Sequence, residues 1–431
     1  MIDFVSELQW RNLIAQTTGE EEVRKHLATG TRRAYVGFDP TADSLTIGNL
    51  VPIMLLRHFQ RAGHTPVVLA GGGTGLIGDP SGKSAERTLQ TRDKVEHNVS
   101  RQLRIFERLL DFSAPNKPVV LNNADWLCSL SFIDALRDVG KFFSVNAMVQ
   151  KDSVRERLTN RDQGISYTEF SYMILQSYDF LHLHDKHAVT LQMGGNDQWG
   201  NITAGTDLIR KAHSAAGGRA PEVHALTAPL VTKADGGKFG KTESGAIWLT
   251  ADRTSPYAYY QFWLNADDAD AVRFLKIFTL LPQDQVDALA HSLATNPGAR
   301  EAQRALAREA TALLHGTTER DHAEAAAKAL FSGDISGLPE STLTEVFASV
   351  PSSNHGRATL EGDGVPILDL LVTTKLAESK REAKEFLSGG SVTLNGRKVG
   401  LEDKAKVSDL LHGSIIALRR GKKNWHVTRW Q

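Results

Sequence analysis

Apolar residues along the chain follow two rhythms. Ala34 to Phe38 (AYVGF) and Pro66 to Ala70 are short, almost unbroken apolar runs, and Val189 to Met193, broken by Thr190 and Gln192, is a third strand-like run. Runs of that length and density predict strands buried on both faces. Between them the apolar positions recur at helical spacing. Ile47 to Gln60 reads as a helix, and another is expected from Trp199 onward. Strands alternating with helices predict a parallel sheet covered on both sides. Ligands in such folds sit beyond the carboxyl ends of the strands. All three runs pass there into glycine, Asp or Asn, as GFDPT, AGGGTG and MGGNDQ.

From about Pro256 to Phe331 the pattern changes. Ala, Leu, Arg and Glu dominate REAQRALAREATALL and RDHAEAAAKAL, which predicts helices. Pro351 to Gly364 (PSSNHGRATLEGDG) is polar and reads as a flexible linker. Beyond it the helical pattern KLAESKREAKEFL leads into SVTL-NG-RKV, whose Asn395-Gly396 pair suits a two-residue hairpin turn. The expected fold class is α/β. A Rossmann-like parallel-sheet domain over 1–247 precedes a helical domain over 248–350, a linker over 351–364 and a small α+β module over 365–431.

Composition narrows the classes. With 431 residues, 41% apolar and 23% charged, the chain is neither wholly disordered nor fibrous. A single cysteine, Cys128, excludes a disulfide within the chain and a Cys-rich zinc site. No apolar stretch approaches 18 residues, and MIDFVSELQW lacks an apolar signal core. A cytoplasmic protein without a membrane span is the simplest reading. Lys+Arg and Asp+Glu balance at 50 each, but unevenly along the chain. Residues 366–431 hold 13 basic against 7 acidic groups, including Arg419, Arg420, Lys422 and Lys423. A basic module on an acidic body suits an anionic partner, with RNA or DNA leading.

Each candidate motif has a bland alternative. GDPSGKS, Gly78 to Ser84, misses the spacing of a P-loop by one residue, and Pro80 removes a backbone N–H from the cradle. His182, His184 and His187 (HLHDKH) read as a solvated loop rather than a metal site. In FDPTADSLTIGNLVPI, Ser44 is a plausible N-cap, and a helix starting near Thr46 would offer free N–H groups to phosphate. An ordinary capped helix explains that segment equally well. Lys238 and Lys241 lie in the Gly-rich stretch VTKADGGKFGKTESG, which suits either a polyphosphate or solvent. Tyr172, Gln176 and Asp179 share one helix face, as ligand groups or as a polar network at the core edge.

TIGN (46–49) resembles the HIGH signature of class I aminoacyl-tRNA synthetases, and KFGKT (238–242) resembles their KMSKS loop. YVGFDPTADSL, GLIGDPSGK, FSYMILQSYDF, GGNDQWGNITAG and LVTKADGGKFGKTESG are similar to the bacterial tyrosyl-tRNA synthetase family. The last segment resembles the small RNA-binding module which that family shares with a ribosomal small-subunit protein. The resemblance covers essentially the whole chain.

The resemblance implies roles for individual positions. Tyr35 and Asp179 match the pair that reads the phenol hydroxyl. Asp79, Tyr172 and Gln176 match the groups around the α-ammonium. Gly37, Asp39, Gly195, Asp197 and Gln198 match adenylate-binding positions, Gln198 also bordering the tyrosine. Thr41 and Thr46 fall at the ATP phosphates, Gly48 and Asn49 near ribose and adenine. Lys83, Arg87, Lys238 and Lys241 match the cations that act during activation, and Thr242 ends their signature. Two departures stand out. Thr46 and Asn49 replace the signature histidines, so the phosphate contact there carries no charge. Pro52 is expected to kink the helix it enters.

The implied activity is ligation of tyrosine to tyrosine tRNA. ATP is a substrate, Mg²⁺ arrives with it, no resident metal is expected, and the active form is a homodimer. Three rivals are weaker. A tryptophan-specific sibling would have no use for a Tyr hydroxyl opposite an Asp. A catalytically silent RNA-binding descendant would have no use for Lys238 and Lys241. A P-loop hydrolase fails on spacing.

Overall fold

A computed structural model describes residues 2–431 except 82–87, 152–153, 156–157, 159–163, 238, 243–244, 349 and 422–423. The chain divides into two units, Met1–Thr254 with Ala266–Glu309, and Ser255–Asn265 with Ala310–Gln431.

Six strands organise the first unit. They are β1 (Gln16–Thr17), β2 (Arg33–Phe38), β3 (Thr65–Ala70), β4 (Val119–Asn122), β5 (Val189–Gly195) and β6 (His224–Ala228). Their spatial order is β1-β6-β5-β2-β3-β4. All neighbours run parallel except β1, which closes one edge antiparallel to β6. The three apolar runs of the sequence are the central strands β5, β2 and β3. Side chains alternate between faces, and Tyr35, Val67 and Leu69 share a core with Phe180, Leu183 and Ile209. The helix Leu50–Arg61 packs on β2, β3 and β5, and the helices Tyr167–His187 and Trp199–Ala215 pack on each other and on β5. From β2 the chain proceeds outward to β3 and β4, then returns to the other side of β2 for β5. The order therefore reverses between β2 and β5, which opens a crevice at their carboxyl ends.

Local details differ from expectation in three places. A 3-10 turn, Ile47–Asn49, precedes the Leu50–Arg61 helix, and Thr46 rather than Ser44 occupies the cap position. Pro52 consequently lies in the first helical turn, where an N–H has no acceptor within the helix, so it needs no kink. HLHDKH is the last part of the 21-residue helix Tyr167–His187, not a loop. Its His182 stacks on Trp126 at 4.3 Å.

A short pair, β7 (Lys241–Thr242) with β8 (Gly245–Ala246), completes the strands of the first unit. The helices expected as one domain over 248–350 are shared between the units. Asp268–Phe278 belongs to the first unit, where buried Arg11 donates to the carbonyls of Lys276, Thr279 and Leu281. Helical periodicity in a sequence marks a buried stripe, not the partner that buries it.

The second unit contains a five-stranded sheet in the order β12-β11-β14-β15-β9. Its strands are β9 (Ser352–His355), β11 (Val392–Leu394), β12 (Arg397–Lys398), β14 (Ile415–Arg420) and β15 (Asn424–Trp430), while β10 (Val365–Pro366) pairs separately with β13 (Lys404–Ala405). Asn395 and Gly396 have φ of 47° and 95° and join β11 to β12 as a two-residue hairpin. The stretch expected as a linker is not a free tether. Its residues Ser352–His355 form β9, parallel to β15. Both faces of β14 are covered. Ile416 and Leu418 pack with Leu370, Leu371 and Leu387, whereas Ile415 and Ala417 pack with Ala326, Ile335, Leu343 and Phe347. Basic residues here are also partly committed. Arg419 is buried, donates to the carbonyls of Leu330 and Ser332 and lies over Trp425. Arg420 pairs with Glu382 at 3.7 Å. Lys422 and Lys423 lie outside the described residues.

Candidate active site

The crevice holds a cavity of about 480 Å³. Its walls include Tyr35, Gly37, Asp39, Thr41, Thr46, Gly48, Asn49, Asp79, Tyr172, Gln176, Asp179, Gly195, Asp197 and Gln198, all singled out in the sequence. Lys83, Arg87 and Lys238 lie outside the described residues. Lys241 is exposed on β7 and does not line the cavity. Thr242 pairs with Gly245 at the turn of the same hairpin.

Tyr35, from the middle of β2, and Asp179, from the Tyr167–His187 helix, are both buried in the cavity wall. The two oxygens of Asp179 accept from the Asn123 amide and the Trp126 indole, each at 2.8 Å. Burial raises its pKa to about 7, against the opposing effect of those two donors. The Tyr35 hydroxyl has no hydrogen-bond partner among the described residues. Burial, and then the charge of Asp179, hold its pKa well above the ordinary phenol value. A buried hydroxyl without a partner is costly, so this one marks where a ligand's polar atom belongs.

A second network lies nearby. The Tyr172 hydroxyl donates to Asp39 at 2.8 Å, and the Thr74 hydroxyl donates to the other Asp39 oxygen at 2.7 Å. Gly71 permits this approach, since a Cβ there would lie 2.2 Å from Asp39 Oδ1. Asp79 accepts from Gln198 at 2.6 Å and from the Ser81 N–H at 2.9 Å. Burial and then Asp79 raise the pKa of Asp197. Four carboxylates thus border one cavity, which favours a bound ammonium.

The signature turn is tied down on two sides. Asn49 Oδ1 accepts from the backbone N–H and the hydroxyl of Thr46, each at 3.0 Å. Thr46 and Asn49, which stand at the two histidine positions of the signature, therefore bind each other. Ile47 N–H donates to the Ile247 carbonyl at 2.9 Å, and the Ile247 N–H donates to the Gly240 carbonyl at 2.9 Å. Gly240 has a φ of 76°, and a Cβ there would meet Ile47 at 2.3 Å. The base of the lysine loop thus rests directly on the turn that opens the site helix.

Two matches with family models cover most of the chain. Residues 27–332 match "tRNA synthetases class I (W and Y)", and residues 342–428 match "Tyrosine–tRNA ligase SYY-like C-terminal domain". The tyrosine–tRNA ligase of Bacillus caldotenax is 49% identical over 433 residues, covering 100% of both chains. The chain belongs to the tyrosine–tRNA ligase family. Another relative of that name, from Opitutus terrae, is 47% identical over 99% of each chain. Among solved structures, a C-terminally truncated mitochondrial tyrosyl-tRNA synthetase from Aspergillus nidulans superposes with a TM-score of 0.68. It is 28% identical and is matched over 77% of this chain and 95% of its own.

Several residues in and behind the cavity wall escape a reading of the sequence. Asn123 supports Asp179, donates to Thr74 and accepts from the Gly73 N–H. It follows β4 as Asp39 follows β2, so the rule that polar residues at strand carboxyl ends face ligands would have found it. Gln192 is a buried amide within an apolar strand, and its oxygen has no partner among the described residues. Trp126 gave no signal, because a lone indole in ADWL reads as core. Two groups of His, Asp and Glu close enough to hold a metal occur among the described residues. Neither lines this cavity.

Proposed function

We propose that the chain activates L-tyrosine with ATP and passes it to the 3′-terminal ribose of tyrosine tRNA. The tyrosine carboxylate attacks the α-phosphorus and pyrophosphate leaves. A terminal ribose hydroxyl then attacks the acyl carbonyl, and AMP leaves. The observation that carries this reading is the buried Tyr35–Asp179 pair. A phenol hydroxyl both accepts and donates, so it satisfies the unpartnered Tyr35 hydroxyl and a lone pair of Asp179 together. An indole N–H only donates, so it cannot accept the Tyr35 O–H.

The other roles are those the family resemblance implies. Asp79, Tyr172 and Gln176 take the α-ammonium, and Gly37, Asp39, Gly195, Asp197 and Gln198 the adenylate. Gly48 and Asn49 border ribose and adenine. Thr41, Thr46, Lys83, Arg87, Lys238, Lys241 and Thr242 act on the phosphates. The nucleophile is already ionised, so activation needs no general base. Positioning and charge stabilisation supply the rate. ATP enters as its magnesium complex, whose phosphates supply much of the metal's shell. The C-terminal module adds contacts to tRNA. A homodimer and a cytoplasmic setting complete the proposal. The exposed Phe132, Ile133, Leu136 and Val145 support the dimer.

The test is ATP–pyrophosphate exchange without tRNA. Exchange should depend on L-tyrosine and magnesium. Equal exchange with tryptophan, or none with any amino acid, would overturn the proposal.

Tyr35→Phe separates stability from function. It removes a buried hydroxyl that has no partner among the described residues. The free protein should therefore gain up to about 1–3 kcal/mol. Tyrosine activation should fall, and phenylalanine activation should stay near its starting value. A thermal melt together with exchange kinetics checks both halves. A destabilised variant would mean that the hydroxyl is satisfied in the free protein.

A further inference from the structure

Outside the cavity lining, three ligand-type side chains converge at the amino ends of β5 and β6. His26 lies on the helix Glu20–Ala28, His224 opens β6, and Glu222 lies two residues before it. Both imidazoles are buried, and Glu222 is 63% exposed at the mouth of the group. Each carboxylate oxygen faces one ring. His26 Nδ1 lies 3.8 Å from Glu222 Oε2, and His224 Nε2 lies 3.4 Å from Glu222 Oε1. The imidazole rings are 4.8 Å apart. These atoms together lie within 4.8 Å of one another.

Such spacings are long for hydrogen bonds and suit a shared ion. A tetrahedral zinc site with bonds of about 2.0–2.1 Å has ligand–ligand edges of roughly 3.3 Å. His26 is also oriented for the purpose. Its Nε2 lies 2.8 Å from the Thr190 hydroxyl, which leaves Nδ1 for the group. Metal-binding histidines commonly hold their second nitrogen this way. His224 Nε2 is a buried nitrogen with no hydrogen-bond partner among the described residues.

We propose that His26, His224 and Glu222 form a binding site for a divalent transition metal of the zinc class, with water as the fourth ligand. The ion joins the helix Glu20–Ala28 to the start of β6 and acts as a structural staple.

Electrostatics agree with this assignment. Burial lowers the pKa of His26 to about 4, helped by His224 and Arg32, and burial also lowers that of His224. The neighbouring cations turn toward backbone carbonyls. Arg32 donates to that of His26 at 3.1 Å, and Arg210 to that of Val223 at 3.2 Å. Glu22 adds further negative charge near His224.

The second group, His184, Asp185 and His213, is different. Asp185 Oδ1 lies 2.7 Å from His184 Nδ1 and 2.9 Å from His213 Nε2, so that group is closed by its own hydrogen bonds. It serves as an internal control.

The test uses the full chain, stripped with a chelator and dialysed against zinc chloride alone, with metal content measured per chain. One zinc per chain is expected. Glu222→Ala should weaken binding at least tenfold, and Thr190→Val about 10-fold through loss of orientation. His213→Ala should leave binding unchanged. Cobalt substitution should give the visible bands of a four-coordinate ion, absent in His224→Ala. Tyrosine-dependent exchange by Glu222→Ala should equal that of the parent. Absence of stoichiometric zinc overturns the proposal. So does zinc that is lost in His213→Ala but kept in Glu222→Ala. Should His224→Ala fail to fold, the exposed Glu222 still decides the matter.

Discussion

Asp179→Ala should cut tyrosine activation by roughly 10- to 150-fold, the equivalent of the ~1.5–3 kcal/mol carried by a hydrogen bond to a charged group. Phenylalanine activation should fall much less, because phenylalanine has no hydroxyl to present. The variant has a second cost. Asn123 and Trp126 both donate to Asp179, and each orphaned donor destabilises the fold by about 1–3 kcal/mol. The discriminating readout is therefore the ratio of kcat/KM for tyrosine and phenylalanine, which a general loss of fold leaves unchanged. Equal proportional losses would make Asp179 a structural residue. Its pKa near 7 adds a pH signature. The ionised form accepts the phenol, so tyrosine affinity should rise through about pH 7, with phenylalanine affinity nearly flat. Stability runs the opposite way. The native chain holds this proton where the unfolded chain has lost it, so the group's contribution is full below about pH 4 and is lost as pH rises through about 7.

Residue pattern alone made only the strand-end part of the pocket legible, while Tyr35, Tyr172, Gln176 and Asp179 were marked by the family resemblance. The central strands β2 and β3 are dense apolar runs, β5 is broken by Thr190 and Gln192, and beyond them stand residues that no core would take, such as Asp39 and Asp197. The edge strands were not legible for a related reason. β4 offers only three apolar residues, Val119 to Leu121, and β1 has two residues in all, so both are too short to stand out. Pairwise partners were also hidden. Nothing local in a sequence says that Asn123 meets Asp179 across 56 positions, or that Thr46 would bond Asn49 rather than stand free. His26 and His224 were passed over because neither belongs to a local cluster, and only the β5–β6 pairing places His224 near Thr190.

The polar stretch 351–364 marks the sharpest difference between composition and structure, and it changes the outcome of a truncation. If the stretch were a tether, ending the chain at Pro351 would remove a bead and leave the rest folded. Instead the cut removes β9, β14 and β15, and with them Ile415, Ala417 and Val427. These cover Ala326, Ile335, Leu338, Leu343, Val346 and Phe347. Exposing the five larger of these at about 1.5–3 kcal/mol each amounts to roughly 10 kcal/mol. That rivals the whole stability of a domain, about 5–15 kcal/mol. The remaining helices of the second unit should therefore lose their fixed packing. The truncated chain should lose more helical circular dichroism than the removed helices carry, seven residues in Ile367–Thr373 and nine in Lys380–Ser388. It should also bind a hydrophobic dye. The pocket residues all belong to the first unit. Tyrosine-dependent exchange per soluble molecule should persist, while tRNA charging should be lost. A truncated chain that melts cooperatively, binds no dye and keeps the helical signal of residues 1–351 would restore the linker reading and give the lost charging to the basic module alone.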